Sequence, residues 1–128
     1  MKYKKLHDFI ASRQNTPFKW GENDCCFFAC DAVLAMTGVD HSVNFRGKYD
    51  DEKSALRVVK KAGGIRAIAS VALGAEIKPQ MAQRGDVVLL EIPKPTLGIC
   101  TGSVVVAPGE NGINFISLDQ ATCAWRVN

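Results

Sequence analysis

The sequence predicts an α+β fold in which N-terminal helices pack on a C-terminal antiparallel sheet. Up to residue 73, apolar residues recur at helical spacing. From about residue 84 they gather instead into short Val-, Ile- and Leu-rich runs separated by turn residues. One helix is apolar nearly all round, and such a helix has to be buried. Helices followed by closely connected strands form α+β arrangements, with the buried helix lying on the sheet.

Taken in order, residues 3–13 place Tyr3, Leu6, Phe9 and Ile10 on one face, with Lys4, Lys5, Asp8 and Arg13 elsewhere, so the first helix is amphipathic. Thr16-Pro17 ends it, because proline disfavours helix at the residue before it. The segment from Asp24 to Met36 reads as the buried helix, apolar from Cys25 onward except at Asp31. Asn23 or Asp24 can cap its start and Gly38 its end. Residues 39–50 read as an ordered loop. A third helix runs from Asp51 to Ala62, with Lys60 and Lys61 suited to its C-terminal dipole, and Gly63-Gly64 ends it. A short fourth spans Arg66 to Leu73 and stops at Gly74. Strands are expected at Asp86–Ile92, Gly98–Thr101, Ser103–Ala107, Ile113–Ser117 and Cys123–Val127. The turns between them carry Pro93 and Pro95, Gly102, Pro108-Gly109 and Asn111-Gly112.

The chain contains no repeat, low-complexity tract or linker, so residues 1–128 read as one domain, long enough to bury a core without disulfides or metal. Its net charge of +3 is mild and its cations are scattered, which gives nucleic-acid binding no support. No apolar run approaches the roughly 18 residues of a membrane helix. Five cysteines (Cys25, Cys26, Cys30, Cys100 and Cys123) are an odd number for a disulfide framework, and no secretory signal accompanies them. They read as reduced thiols made in a cytoplasm.

The sharpest local feature is Phe18-Lys19-Trp20-Gly21-Glu22-Asn23-Asp24-Cys25-Cys26. It puts Cys25 in the first turn of the buried helix, where free amides and the dipole favour a thiolate, while Asp24 opposes one by like charge. Nucleophile and small core residue are both open readings of Cys25. Cys26 and Cys30, four apart, share a helix face that Cys25 does not. No CxxC spacing announces a thiolate metal site, so core packing is the reading of the remaining cysteines and no metal or cofactor is expected. Arg84-Gly85-Asp86 is read as a tight turn entering a strand rather than an adhesion tripeptide.

Trp20-Gly21 with Asp24-Cys25, then Arg84-Gly85-Asp86-Val87-Val88, then Gly98-Ile99 closing into Gly102, resembles the NlpC-like cell-wall cysteine peptidases. The resemblance covers about Phe18 to Ala107 and implies a compact papain-type domain, in which a helix-start cysteine faces a sheet carrying histidine. Asn23-Asp24-Cys25-Cys26, Phe45-Arg46-Gly47-Lys48-Tyr49 and Ala124-Trp125-Arg126 are similar to a branch of small phage tail-associated proteins. The catalytic set departs from the family pattern. Where the family has His-x-Gly-Ile, this chain has Thr96-Leu97-Gly98-Ile99, and threonine cannot accept a thiol proton near neutral pH. Phe18 stands where the family often has an oxyanion-holding tyrosine, and Cys26 where a serine commonly follows the nucleophile. His7 and His41 lie on elements the family does not use.

What the resemblance implies is a phage tail-tip or tail-assembly component that keeps an inactive peptidase fold as a structural or binding module. Its partners would be other phage tail proteins, and its location the virion tail after synthesis in the host cytoplasm. Phe18, Trp20, Asp24 and Thr96 would form the groove beside Cys25, and that groove would accept a peptidoglycan peptide or a partner's chain segment. The alternative is an active cysteine peptidase or amidase, with Cys25 as its nucleophile, that cleaves peptidoglycan peptides during phage entry.

Overall fold

The computed structural model describes residues 1–91 and 93–128. Four helices come first: α1 (Lys2–Arg13), α2 (Cys25–Thr37), α3 (Glu52–Lys61) and α4 (Ile65–Leu73). Six strands follow: β1 (Glu76–Ile77), β2 (Val87–Leu90), β3 (Thr96–Cys100), β4 (Val104–Gly109), β5 (Gly112–Ser117) and β6 (Ala121–Trp125). They form one antiparallel sheet in the order β1-β6-β2-β3-β4-β5.

Helix α2 packs between α1 and the β3–β4 part of the sheet. Phe28, Ala29, Ala32, Val33 and Met36 of α2 meet Val87, Leu89, Leu97, Ile99 and Val106 of the sheet, with Leu6, Trp125 and Val127 closing the same cluster. The opposite face of the sheet is also buried, by Val88, Leu90, Cys100, Val105 and Ala124 with Ile77, Ile116 and Leu118 against them. Both sides of β2 are therefore covered, which is why Val87–Leu90 is a continuous apolar run rather than an alternating one. A third cluster (Phe27, Tyr49 and Ala55, with Trp20 and Val58 beside it) joins α3 and the 39–50 loop to α2.

The ends of the helices follow local chemistry. Asp24, rather than Asn23, caps α2, and Gly38 closes it in the left-handed conformation. Asp51 and Ser54 make a reciprocal capping box at the start of α3. The lone charge of α2, Asp31, is the anchor of its surroundings: Arg13 at the end of α1 reaches it at 2.7 Å and Arg46 of the 39–50 loop at 3.0 Å.

The strand ends differ from the sequence expectation. Strand β1 was not expected: two residues carry no periodicity, and only pairing with Ala124 and Trp125 of β6 makes them a strand. Strand β3 begins at Thr96, two residues before the expected Gly98, and β6 runs Ala121–Trp125 rather than Cys123–Val127. Pro108-Gly109 lies inside β4 and not in the turn, which falls on Glu110-Asn111. The missing N–H of Pro108 is tolerated because the ladder to β3 ends at Val106, leaving only β5 as neighbour. The expected end of the β2 strand, Ile92, lies outside the described residues.

Gly98 sits in the middle of the sheet with β4 hard against it. A Cβ there would come within 2.5 Å of a Val105 methyl and 2.8 Å of the Val106 carbonyl oxygen. Gly98→Ala is expected to lower stability by about 1–3 kcal/mol, the usual effect of overpacking a closed core, as measured by urea unfolding.

Asp86 of the Arg84-Gly85-Asp86 turn is 1% exposed. Its carboxylate accepts hydrogen bonds from the Gln83 and Val127 amides at 2.9 and 3.0 Å and from the Arg126 guanidinium at 3.1 Å. The tripeptide thus ties the chain's last residues to the start of β2 and presents no carboxylate to solvent.

Candidate functional site

The Trp20-Gly21 step is held by a tight loop in which Lys19 and Asn23 exchange backbone hydrogen bonds at 3.3 and 2.8 Å. Gly21, at its tip, has φ +82°, and a Cβ there would overlap the Tyr49 carbonyl, so a side chain is excluded both by conformation and by space. Asn23 secures the loop to what precedes it: its amide donates to the Thr16 and Pro17 carbonyls at 3.3 and 3.0 Å, and its oxygen accepts from Arg13 at 2.9 Å.

Asp24 is the hub. It is 1% exposed. One carboxylate oxygen caps α2 through the Phe27 amide at 2.9 Å. The other accepts from the Gly21 amide at 3.0 Å and from the Tyr49 hydroxyl at 2.7 Å. Its oxygens are thus engaged within the chain, and its role is to fix the entry angle of α2 and, with it, Cys25. Burial, reinforced by the Asp24 carboxylate, pushes the Tyr49 phenol far above its ordinary range, so Tyr49 stays a proton donor. Tyr49 was singled out in sequence only as part of Phe45-Arg46-Gly47-Lys48-Tyr49; its contact with Asp24, 25 positions earlier, is tertiary.

Cys25 is the first residue of α2 and is half-buried. A hydrogen bond from the Cys26 side chain lowers its thiol pKa; burial opposes this, the Leu97 backbone N–H assists it, and the Asp24 charge works against it. The net direction is downward. Cys26, which donates that bond, is pushed well up by it and by burial. Cys30, one turn along, is pushed up to about 12, chiefly by burial and then by Asp31 and Asp40. The three neighbouring thiols are therefore chemically distinct, and only Cys25 leans towards thiolate.

The strand packed most closely on α2 is β3, and its Leu97 belongs to the core cluster against which Cys25 rests. Thr96 precedes Leu97 and is half-buried; its hydroxyl donates to the Lys94 carbonyl at 3.0 Å. Thr96 pairs with Leu90, a member of the cluster on the far side of the sheet, whereas Leu97 pairs with Leu89 on the α2 side. Alternation along β3 thus carries the Thr96 side chain to the face away from α2. His7 is exposed on α1 and His41 lies in the 39–50 loop; among the described residues neither hydrogen-bonds to Cys25.

Phe18 and Trp20 stand edge to face, with ring centroids 4.8 Å apart. The Lys94 ammonium lies 5.9 Å from the Trp20 ring and 3.7 Å from Glu52, linking the β2–β3 connection to α3. Both aromatics are half-buried, and Trp20 packs on the Phe27–Tyr49 cluster, so its ring is partly structural. Among the described residues no three His, Cys, Asp or Glu side chains converge as metal ligands, and no helix is long and apolar enough to cross a membrane.

The arrangement can stabilise a thiolate at a helix start against a sheet, but it supplies no side-chain base to that thiol from β3. A comparison with curated proteins returns no match. A family model described as "Domain of unknown function (DUF6950)" matches residues 2–127, a range that takes in α1 to α4 and β1 to β6. The chain belongs to that family.

Proposed function

We propose that the protein is a phage tail-tip or tail-assembly component that uses a papain-type, NlpC-like domain as a structural and binding module. One observation carries the reading: the residue in the family's histidine position is Thr96, whose hydroxyl donates to the Lys94 carbonyl and whose side chain lies on the sheet face away from α2. General-base catalysis contributes about 10²–10⁴-fold, so a thiolate without it keeps little hydrolytic advantage. The Trp20, Asp24 and Tyr49 network that orients α2 is fully built and supports a retained scaffold. The protein is expected in purified phage tails or their assembly intermediates by mass spectrometry; reproducible absence from both would sink the proposal.

A second reading, an active peptidase or amidase acting on peptidoglycan peptides, is favoured by the lowered thiol pKa of Cys25. The two separate on cleavage of cross-bridge peptides. The scaffold reading expects the parent protein and Cys25→Ala to be indistinguishable. Turnover by the parent that Cys25→Ala abolishes would establish the peptidase.

A further inference from the structure

The helix face of α2 that carries Cys26, Cys30 and Val33 does not carry Cys25, and it borders a cavity of about 420 Å³. Ile68 and Leu73 of α4 form part of the opposite wall, and His41 and Phe45 of the 39–50 loop also line it. That volume lies within the ~300–1,000 Å³ typical of small-molecule sites. An open surface groove shares Asn44, Phe45 and Ala62 with this cavity and adds Lys48 and Lys61. Among the described residues neither lysine has an ion-pair partner, whereas Lys4, Lys19 and Lys94 each do. An apolar chamber therefore opens beside two uncommitted cations.

The wall chemistry narrows the occupant. Several polar groups that line the chamber are spent within the protein: Ser42 donates to Asp40 at 2.6 Å, Asp40 pairs with Arg46 at 3.5 Å, and the Tyr49 hydroxyl donates to Asp24, which leaves the side chains of His41 and Asn44. Cys30 is held as a neutral thiol by its burial. A buried peptide main chain would bring N–H and C=O groups that find few partners here, and unpaired buried polar groups are costly. A hydrocarbon chain needs none.

We propose that this chamber binds a single aliphatic chain ending in a carboxylate, with the chain buried between α2 and α4 and the carboxylate paired with Lys48 and Lys61 at the mouth. The inference is independent of the tail-component reading, because it uses a different face of α2 and makes no use of Cys25.

The test is isothermal titration calorimetry of the full chain with decanoate and with decan-1-ol, each below its aggregation concentration. Both are expected to bind saturably at one site, decanoate about tenfold more tightly, in keeping with two charge-assisted contacts at a partly exposed rim. Lys48→Glu/Lys61→Glu alters two exposed positions and is expected to weaken decanoate about tenfold or more while changing decan-1-ol less than twofold. Ala62→Trp, at the exposed end of α3 and on the wall of both the cavity and the groove, is expected to weaken both ligands tenfold or more, with thermal unfolding confirming that each variant is folded. Absence of saturable binding to the parent protein overturns the proposal, as does full decanoate affinity in the double lysine variant. Tighter binding of the peptide acetyl-Leu-Leu-Leu-Glu than of decanoate would also overturn it and assign the chamber to a protein segment.

Discussion

Asp24→Ala is expected to cost about 3–5 kcal/mol of folding stability. Three groups lose their acceptor at once: the Phe27 amide at the start of α2, the Gly21 amide and the Tyr49 hydroxyl. Loss of an N-cap alone costs about 0.5–2 kcal/mol. Each buried donor left unpaired adds about 1–3 kcal/mol, and the two in question lie at the junction of three segments. Against a typical total of ~5–15 kcal/mol this is a large fraction, so the variant is expected to unfold at a markedly lower urea concentration. Asp24→Asn keeps the cap but cannot accept at every site, and should fall between the two. Tyr49→Phe removes the donor and spares the cap, so its loss should be about 1.5–3 kcal/mol, and a double-mutant cycle with Asp24→Ala should show strong coupling. A loss within 1 kcal/mol for Asp24→Ala would mean that the Trp20–Tyr49 network does not orient α2.

The same network gives stability a pH dependence at the alkaline end. The Tyr49 phenol is raised in the folded protein above its value near 10 in the unfolded chain, so its contribution is complete below that pH. As the pH rises above about 10 the unfolded chain ionises and the folded one does not, and stability falls. Tyr49→Phe should flatten that part of the curve.

The second large effect is a separation of thiol reactivities within one helical turn. Cys25 and Cys30 are both half-buried, so access alone does not distinguish them. With its pKa held below the ordinary thiol value, Cys25 carries a larger thiolate fraction near neutral pH than an unperturbed thiol. Cys30, at about 12, is thiolate only to about 10⁻⁵. The more basic thiolate is intrinsically the better nucleophile, but with a Brønsted slope of about 0.4–0.5 this returns only half or less of the difference on a logarithmic scale. Labelling by a small disulfide reagent at pH 7, read site by site by mass spectrometry, should therefore favour Cys25 over Cys30 by about tenfold or more. Cys26→Ala removes the hydrogen bond that contributes most to the lowered pKa, so the Cys25 labelling profile should move to higher pH. Equal rates at Cys25 and Cys30 would make Cys25 an ordinary core thiol and remove the support for a peptidase.

Much of this architecture was legible in the residues because its causes are local. The apolar run from Cys25 to Met36 announced a buried helix, with Asp31 as its exception. Caps at Asp24, Asp51 and Gly38 stand where short-range hydrogen bonding puts them. The change from helical spacing to short aliphatic runs placed the sheet after the helices. The strand ends were less legible: β1 exists only by pairing with β6, and Pro108-Gly109, turn residues by type, became strand because β4 outruns its pairing with β3.

The site divides along the same line. Sequence alone determined that a cysteine stands at a helix start behind Trp20-Gly21, and that Thr96 opens the stretch Thr96-Leu97-Gly98-Ile99. Only the tertiary structure decided what those residues face. It brought Tyr49 to Asp24, packed Cys25 against the core cluster that holds Leu97, and turned the Thr96 side chain to the far side of the sheet. It also opened a chamber between α2 and α4 that no periodicity could reveal. The physical reason is range: caps, turns and helical faces are decided within a few residues, whereas the direction of a strand side chain and the pKa of a thiol depend on register and on groups brought together from distant positions.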